Sequence, residues 1–324
     1  MHWDLLILDE AHYVRIPSTK RAKKVVALMK KVKNSLWLSG TPMMNTVMDL
    51  YIPLKLCLES REDVPPEHKL YLKNYNTFGA YFSHCRQTTF GKEYTGIRNP
   101  QILKEMINNN NFYYRLTKKE AELDLPDKTI QKIDLDFDVK TENTQEVETF
   151  LRSLENEKIP GLPPTHLTTM LRQLGEAKST HSSAMEFIDN ILEQGQPLVV
   201  FAYHKSVISN LYKYFKKYNP VVFDGSTSAE DKQKAVDDFQ KGESQIFIGQ
   251  IISAGTGITL TRASTCVFIE VTWLPSHITQ AIDRLLRIGQ KNAVIAYFLC
   301  TKNKVDERII RAMVNKQKNI EKLL

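Results

Sequence analysis

Apolar and polar positions along this chain of 324 residues follow two rhythms. Short continuous apolar runs bounded by turn residues dominate both ends. Leu5-Leu6-Ile7-Leu8 opens the series, and such an unbroken run predicts a strand buried on both faces of a parallel sheet. Leu36-Trp37-Leu38 is the next run and ends in Ser39-Gly40-Thr41-Pro42. Further strands are predicted at Leu198–Tyr203, Val221–Phe223, Gln245–Ile248, Cys266–Ile269 and Ala293–Leu299. Helical patterns lie between most of them, which predicts an α/β doubly wound sheet.

The middle of the chain keeps a helical period. Tyr71, Tyr75, Phe78 and Phe82 recur at helical spacing within residues 58–110, and residues 141–192 also read as helical. The aromatic stripe fits a helix-packing seam better than a platform for stacking bases. Pro160, Pro163 and Pro164 mark a turn or linker. No internal repeat and no low-complexity tract interrupts the layout of α/β, helical insertions, then α/β.

Composition narrows the class. Apolar residues make up 42% and charged residues 25%, the balance of a globular chain and not of a disordered or coiled-coil one. The longest apolar runs are strand-sized, far below the roughly 20 residues of a membrane helix. Met1-His2-Trp3-Asp4 lacks the basic and apolar start of a signal peptide. The four cysteines, Cys57, Cys85, Cys266 and Cys300, form no CxxC pair, which argues against a zinc or disulfide framework. A soluble intracellular protein is expected, with no membrane partner.

Charge adds a partner. The formal net charge is +7, and residues 11–48 hold Arg15, Lys20, Arg21, Lys23, Lys24, Lys30, Lys31 and Lys33 without one acid. The excess is therefore a patch, which points to a polyanion, nucleic acid first. The alternative is a solvated helix face, because Ala22, Val25, Val26, Met29 and Val32 follow helical spacing beneath the lysines.

Three strings carry candidate chemistry. Asp9-Glu10-Ala11-His12 follows a predicted strand, and open α/β sheets bind ligands at the carboxyl ends of strands. An Asp there can hold the water shell of Mg²⁺, and its neighbour can orient an attacking water; a plain helix cap is the competing reading. Gln280 through Gln290 reads as a helix started by Pro275-Ser276 and stopped by Gly289. Ile278, Ile282, Leu285 and Leu286 would form its apolar face, leaving Gln280, Arg284 and Arg287 opposite, where two arginines could grip phosphate oxygens. The small-residue string Ser253 to Thr261 would let a phosphate approach backbone N–H groups.

Taken in order, Asp9-Glu10-Ala11-His12, Leu38-Ser39-Gly40-Thr41-Pro42 and the Gln280–Gln290 block resemble motifs II, III and VI of superfamily-two helicases. The ending Asp283-Arg284-Leu285-Leu286-Arg287-Ile288-Gly289-Gln290 resembles the SWI/SNF-type branch, and Asp224-Gly225-Ser226-Thr227 and Ala254–Leu260 match its motifs between IV and V. Tyr94-Thr95-Gly96 and Tyr113-Tyr114-Arg115-Leu116 are most similar to the annealing-helicase subgroup. Leu286 replaces a common His, and Leu274 replaces the Asn usual after Trp273; neither change removes a catalytic charge.

The resemblance implies RecA-like lobes: a partial first lobe over residues 1–138 with a helical insertion at about 58–110, a helical insertion and linker over 139–176, and a complete second lobe over 177–324. It implies ATP and Mg²⁺ as cofactors. Asp9 would hold Mg²⁺ through water, Glu10 would orient the water, and Ser39 and Thr41 would couple nucleotide state to lobe movement. Gly257, Gln280, Arg284 and Arg287 would lie near nucleotide, with Arg287 as the arginine finger reaching the γ-phosphate across the lobes. Lys205, Thr227, Gln250, Thr259 and Trp273 would face nucleic acid.

The resemblance also makes one omission conspicuous. A phosphate-binding loop requires G-x-x-x-x-G-K-[ST], and the Gly-Lys pair here, Gly91-Lys92, is followed by Glu93 and preceded at the required spacing by Arg86. In the family that loop lies upstream of the Asp-Glu tetrad. The chain is therefore expected to be a fragment, or one part of a split enzyme whose P-loop half is a second chain. The expected function is the C-terminal portion of a double-stranded-DNA translocase, acting on double-stranded or branched DNA wherever that DNA resides: nucleus, nucleoid or viral replication site. A non-catalytic module that binds DNA or completes a partner, and a strand-separating helicase, are the alternatives.

Overall fold

The computed structural model describes residues 3–88, 91–109, 113–116, 120–121, 123–139, 144–155, 163–255, 257–302 and 305–313. Pro160 and Thr256, used in the sequence reading, lie outside the described residues. Packing divides the chain into two compact units that meet in sequence at Arg115 and Leu116.

The first unit begins with β1 (Trp3–Leu8), α1 (Lys20–Met29) and β2 (Val32–Trp37). The two strands pair in parallel, Ile7 opposite Leu36 and Leu8 opposite Trp37. Then come α2 (Tyr51–Leu58), α3 (Pro66–Tyr71), α4 (Tyr75–Phe82), β3 (His84–Thr88), β4 (Gly91–Thr95) and α5 (Pro100–Asn108). One core joins Val25, Val47, Leu54, Leu58, Phe78, Phe82, Leu103 and Met106.

Two expectations need correction here. The first strand is not buried on both faces: Trp3, Leu5 and Ile7 are 53%, 52% and 56% exposed. A two-stranded sheet has one face against the core, where Leu8 and Trp37 pack; Leu36 and Leu38 extend the exposed apolar face. The segment 58–110 is not wholly helical either, since β3 and β4 form an antiparallel hairpin. Gly91 and Gly96, at φ +120° and +61°, bracket β4 in backbone conformations that oppose a helix. The aromatic stripe is a packing seam. Phe78 and Phe82 are fully buried and Tyr71 stacks on Tyr81 at 4.1 Å. It runs over two helices, because Asn74 accepts a hydrogen bond from Thr77 N and starts α4 afresh.

The second unit contains β5 (Lys128–Asp134), α6 (Gln145–Glu155), α7 (Thr165–Lys178), α8 (Ser182–Glu193), β6 (Leu198–Ala202), α9 (Lys205–Tyr214), β7 (Val221–Phe223), α10 (Ala229–Lys241), β8 (Ile246–Gln250), α11 (Ile251–Ala254), β9 (Thr265–Phe268), α12 (Pro275–Ile282) and β10 (Val294–Cys300). Its six strands run parallel in the order β5-β10-β9-β6-β8-β7. Val199, Phe201, Phe247 and Phe268 enter one core, while Leu198, Val200, Ile248 and Val267 enter another. Alternate residues thus feed opposite faces, both covered, as a parallel sheet demands. The α/β class and the five C-terminal strands are as the apolar runs predict.

The boundaries read from the sequence shift. β5 pairs with β10 from Lys128 opposite Val294 to Asp134 opposite Cys300, so residues 116–138 belong to the second unit. Phe150, Met170 and Leu174 of α6 and α7 share a core with Phe268 and Phe298. The helices α6 and α7 within the segment 139–176 therefore belong to that unit's core and not to a separate insertion. No described helix is long and apolar enough to cross a membrane.

Candidate functional site

In the first unit the carboxyl ends of β1 and β2 are bound together by backbone. Leu38 N donates to Leu8 O and Ala11 N to Leu38 O, each at 2.8 Å. The chain turns sharply at Glu10, a non-glycine residue held left-handed at φ 48° and ψ 47°. Strain of this kind is stored where neighbouring structure fixes it, often at a reacting centre. Asp9 Oδ1 accepts from Glu10 N at 2.8 Å and helps fix the turn. Asp9 is exposed and Glu10 half-buried.

His12 is 3% exposed, and its Nδ1 lies 3.0 Å from Ser39 Oγ and 3.2 Å from Glu10 Oε2. Ser39 Oγ also accepts from Thr41 N at 3.1 Å. The structure thus brings Glu10, Ser39 and Thr41 together through His12, with Asp9 one residue away. Burial, with the Arg15 guanidinium adding to it, pushes the His12 imidazole down to about 4. Asp9 offers one hard, solvent-facing carboxylate. That donor set fits Mg²⁺, which keeps most of its water and otherwise binds phosphates. Among the described residues, no group of three His, Cys, Asp or Glu could hold a metal by itself.

In the second unit the arginine helix read from the sequence is shorter than expected. α12 ends at Ile282, and residues 283–289 form turns. Leu260 N takes the carbonyl of Arg284 at 2.8 Å, and Arg284 N and Leu285 N bond back to Ala281 O and Ile282 O instead of continuing an α-helix. Gln280, Arg284 and Arg287 therefore do not share a helix face. Ile278, Ile282, Leu285 and Leu286 are buried as expected.

The two arginines differ in environment. Arg284 is 6% exposed and donates from Nη2 to Gly255 O at 2.5 Å. Arg287 is half-buried and donates from Nη1 to Thr259 Oγ1 at 3.1 Å. Both hold the small-residue string after β8 to this turn. Gly257 is exposed at φ +71° with open space where a Cβ would stand, room for a ligand's close approach. A Cβ on Gly255 would lie 3.7 Å from Gln280 Cβ, which puts Gln280 in the same group.

The nucleic-acid candidates follow the carboxyl ends of parallel strands or the string after β8. Lys205 is exposed at the start of α9, after β6. Thr227 follows β7, and its hydroxyl is used on Asp224 Oδ1 at 3.2 Å. Gln250 ends β8 and clamps loops, donating to Tyr203 O at 3.1 Å while accepting from Gly225 N at 3.1 Å. Trp273, past β9, lies 6.1 Å from the Tyr203 ring. Lys205 and Trp273 keep side-chain surface for a partner, whereas the polar groups of Thr227, Gln250 and Thr259 make bonds within the protein.

Two residues escaped the sequence reading. Glu270 is 3% exposed and accepts from Tyr203 N at 2.7 Å and His204 N at 2.9 Å, with His204 Nδ1 at 2.6 Å. An acid directly after a strand run was the available signal. Gln290 is 6% exposed, and its amide donates to Thr261 O, Ala263 O and Leu285 O at 3.1, 2.8 and 3.2 Å. Its place at the end of the arginine block hid this internal role.

Residues 1–185 match the SNF2-related domain, and residues 183–289 match the helicase conserved C-terminal domain. The chain belongs to the SNF2-related family. It is similar to the SWI/SNF-related matrix-associated actin-dependent regulator of chromatin subfamily A-like protein 1 of Xenopus laevis, with 29% identity over 94% of this chain and 31% of that protein. It is similar also to the DNA annealing helicase and endonuclease ZRANB3 of Mus musculus, 28% identical over 98% of this chain and 29% of that protein. The Sulfolobus solfataricus SWI2/SNF2 ATPase core in complex with dsDNA aligns with all of this chain and 69% of its own, at 21% identity and a TM-score of 0.45. The chain spans about a third of the length of these curated relatives. The SNF2-related match runs to residue 185, well past the junction at Arg115, so family likeness and packing divide the sequence differently.

Proposed function

We propose that this SNF2-related chain is the C-terminal portion of an ATP-dependent double-stranded-DNA translocase, acting on duplex or branched DNA. The observation that carries the proposal is the joined Asp9-Glu10-Ala11-His12 and Ser39-Gly40-Thr41 site at the ends of two parallel strands, inside a chain of this family. Asp9 would hold Mg²⁺ through its water shell, and Glu10 would orient the attacking water. His12 and Ser39 transmit displacement of one strand end to the other, with Thr41 N tied to the same hydroxyl. ATP with Mg²⁺ would supply the transferable phosphoryl group. Arg287, the more accessible arginine, stabilises charge on that group, and buried Arg284 positions the Gly255–Gly257 string.

These 324 residues contain no G-x-x-x-x-G-K-[ST]. Hydrolysis accordingly depends on a phosphate-binding loop from elsewhere, in the same polypeptide or in a second chain. The exposed apolar face of Trp3, Leu5, Ile7, Leu36 and Leu38 supports a covering polypeptide there. That face also favours the second reading, a module that completes a partner without itself turning over ATP.

The test is ATP hydrolysis with and without duplex DNA, by the chain alone and by the chain joined to a family segment carrying the P-loop. Negligible turnover alone and DNA-stimulated turnover when joined is the expected result. Robust turnover by the chain alone removes the dependence on an outside loop. No hydrolysis by the joined protein, with or without DNA, leaves only the non-catalytic reading. Strand displacement is not expected, and its appearance would make the protein a strand-separating helicase.

A further inference from the structure

We propose that the exposed half of α1, with Lys31 and Lys33 just beyond it, is a docking surface for the phosphate backbone of duplex DNA. This surface belongs to the first unit and shares no residue with the strand-end candidates of the second. It rests on the proposed function only for the identity of the polyanion.

The helix presents two unlike halves. Ala22 and Val25 are buried, and Val26 and Met29 are half-buried beside them. At 100° per residue, Lys20, Arg21, Lys23, Lys24 and Lys30 fall on the opposite half. All five are exposed, as are Lys31 and Lys33. Thr19 fixes where the helix starts by accepting from Ala22 N at 3.2 Å. Arg21 is held with its guanidinium 5.0 Å over the Tyr13 ring, next to His12. The first turn of the surface is thereby joined, through Tyr13, to the last residue of the Asp-Glu tetrad.

A solubilising role does not account for this arrangement. Three helical cations elsewhere carry acidic partners one turn away: Lys55 with Glu59, Arg152 with Glu148, Arg311 with Glu307. α1 has no acid in its first turn, and among the described residues none of its cations is in an ion pair. Arg15, which is in one, is held by Asp49 at 3.4 Å outside the helix. Lys20, Arg21 and Lys23 stand at the positive end of the helix dipole, where cations oppose the helix and carboxylates would support it. Local stability selects against this distribution, so an external anion is its natural complement.

The chemistry favours duplex phosphate over an acidic polypeptide. A helix of ten residues is roughly 15 Å long, a length over which duplex DNA displays about nine phosphate charges at one per ~1.7 Å. Six of the seven cations are lysines, flexible point charges that follow a phosphate backbone without requiring one base sequence. A protein partner would need an apolar anchor, and Leu28, 41% exposed, is the one large apolar side chain on the cationic half.

The test is fluorescence anisotropy of the 324-residue chain on a mixed-sequence 30-base-pair duplex, titrated at several NaCl concentrations. The test variant is Lys20→Gln with Lys23→Gln, Lys24→Gln and Lys30→Gln. A charge-matched control carries Lys213→Gln, Lys216→Gln, Lys234→Gln and Lys241→Gln. Each lost phosphate contact lowers the slope of log K against log[salt] by about 0.9. The test variant should therefore bind at least ten-fold more weakly near 100 mM salt, with a slope shallower by roughly two to three units. The control should stay within a few-fold of the parent, and both variants should melt with it. Equal slopes for parent and test variant overturn this inference while leaving the proposed function standing. A parent that binds no duplex at any salt removes the DNA reading itself. If the test variant loses labelled polyglutamate but retains the parental duplex slope, the surface is for an acidic polypeptide and the proposal fails.

Discussion

His12 Nδ1 lies 3.0 Å from Ser39 Oγ and 3.2 Å from Glu10 Oε2, so one imidazole joins the turn after β1 to the turn after β2. A proton on Nδ1 would face both the Ser39 hydroxyl oxygen and the Glu10 carboxylate, which can only accept. The second nitrogen, Nε2, is buried without a hydrogen-bond partner among the described residues. Protonating it would place a charge in that unserved position, near Arg15. This is the physical cause of the depressed His12 pKa.

That depression predicts a pH dependence with a definite sign. The imidazole titrates near 6.5 when unfolded but near 4 in the fold. Between those values the unfolded chain binds a proton that the folded chain refuses. Stability from neutral His12 is therefore full above pH 6.5 and declines as pH falls towards 4. Each unit of depression corresponds to about 1.4 kcal/mol. His12→Asn should flatten this part of the profile in thermal melts of the first unit. Unchanged slopes in parent and variant would show that His12 is not the titrating group.

Gln290 yields a stability prediction for the second unit. Its amide nitrogen serves three carbonyls, and its Oε1 accepts from Lys291 N and Asn292 N at 3.0 Å each. Gln290→Leu keeps the volume but takes the donor from the Thr261 and Ala263 carbonyls, while Leu285 O keeps Arg287 N, at about 1–3 kcal/mol for each stranded group and less than additively. A total near 3 kcal/mol lowers the melting temperature by roughly 6–12 °C for a unit of this size. Circular dichroism melts measure it directly. A shift under about 2 °C would mean that water or backbone movement replaces the side chain.

The sequence and the structure agree where the signal is local. Val221–Phe223 is a strand at the positions its apolar run predicts, and the other C-terminal runs match within a residue or two. β5 was illegible because Lys-Thr-Ile-Gln-Lys-Ile-Asp carries few apolar residues, as an exposed edge strand can. The exposed face of β1 could not be read from Leu5-Leu6-Ile7-Leu8, because burial depends on what covers a strand and not on its own composition. α12 stops early through a bond between Leu260 and Arg284, a tertiary event invisible to helical periodicity. The acids and arginines of the candidate site were legible as motifs. Their supports, His12 as a link and Glu270 and Gln290 as clamps, emerge only from contacts distant in sequence.

The two arginines of the turn after α12 should separate cleanly on mutation. Arg284 is nearly enclosed and holds Gly255 O, so Arg284→Ala removes a charge-assisted bond from a buried carbonyl and should lower the stability of the second unit by about 1–3 kcal/mol. Arg287 is half-buried and makes one bond to a hydroxyl, so Arg287→Ala should cost no more than about 1 kcal/mol in stability. Activity should show the opposite ranking of cause. In protein joined to a P-loop segment, Arg287→Ala should reduce DNA-stimulated hydrolysis by roughly 10³- to 10⁵-fold, the range for a guanidinium that stabilises the transferring phosphoryl group. Folding and duplex binding should be unchanged in that variant. Arg287→Lys should recover little, because an ammonium cannot reproduce the planar fork. Melting curves and steady-state hydrolysis on the same preparations measure both effects. Hydrolysis within a few-fold of the parent in a well-folded Arg287→Ala protein would reduce Arg287 to a support for Thr259 and leave the arginine finger to be sought elsewhere.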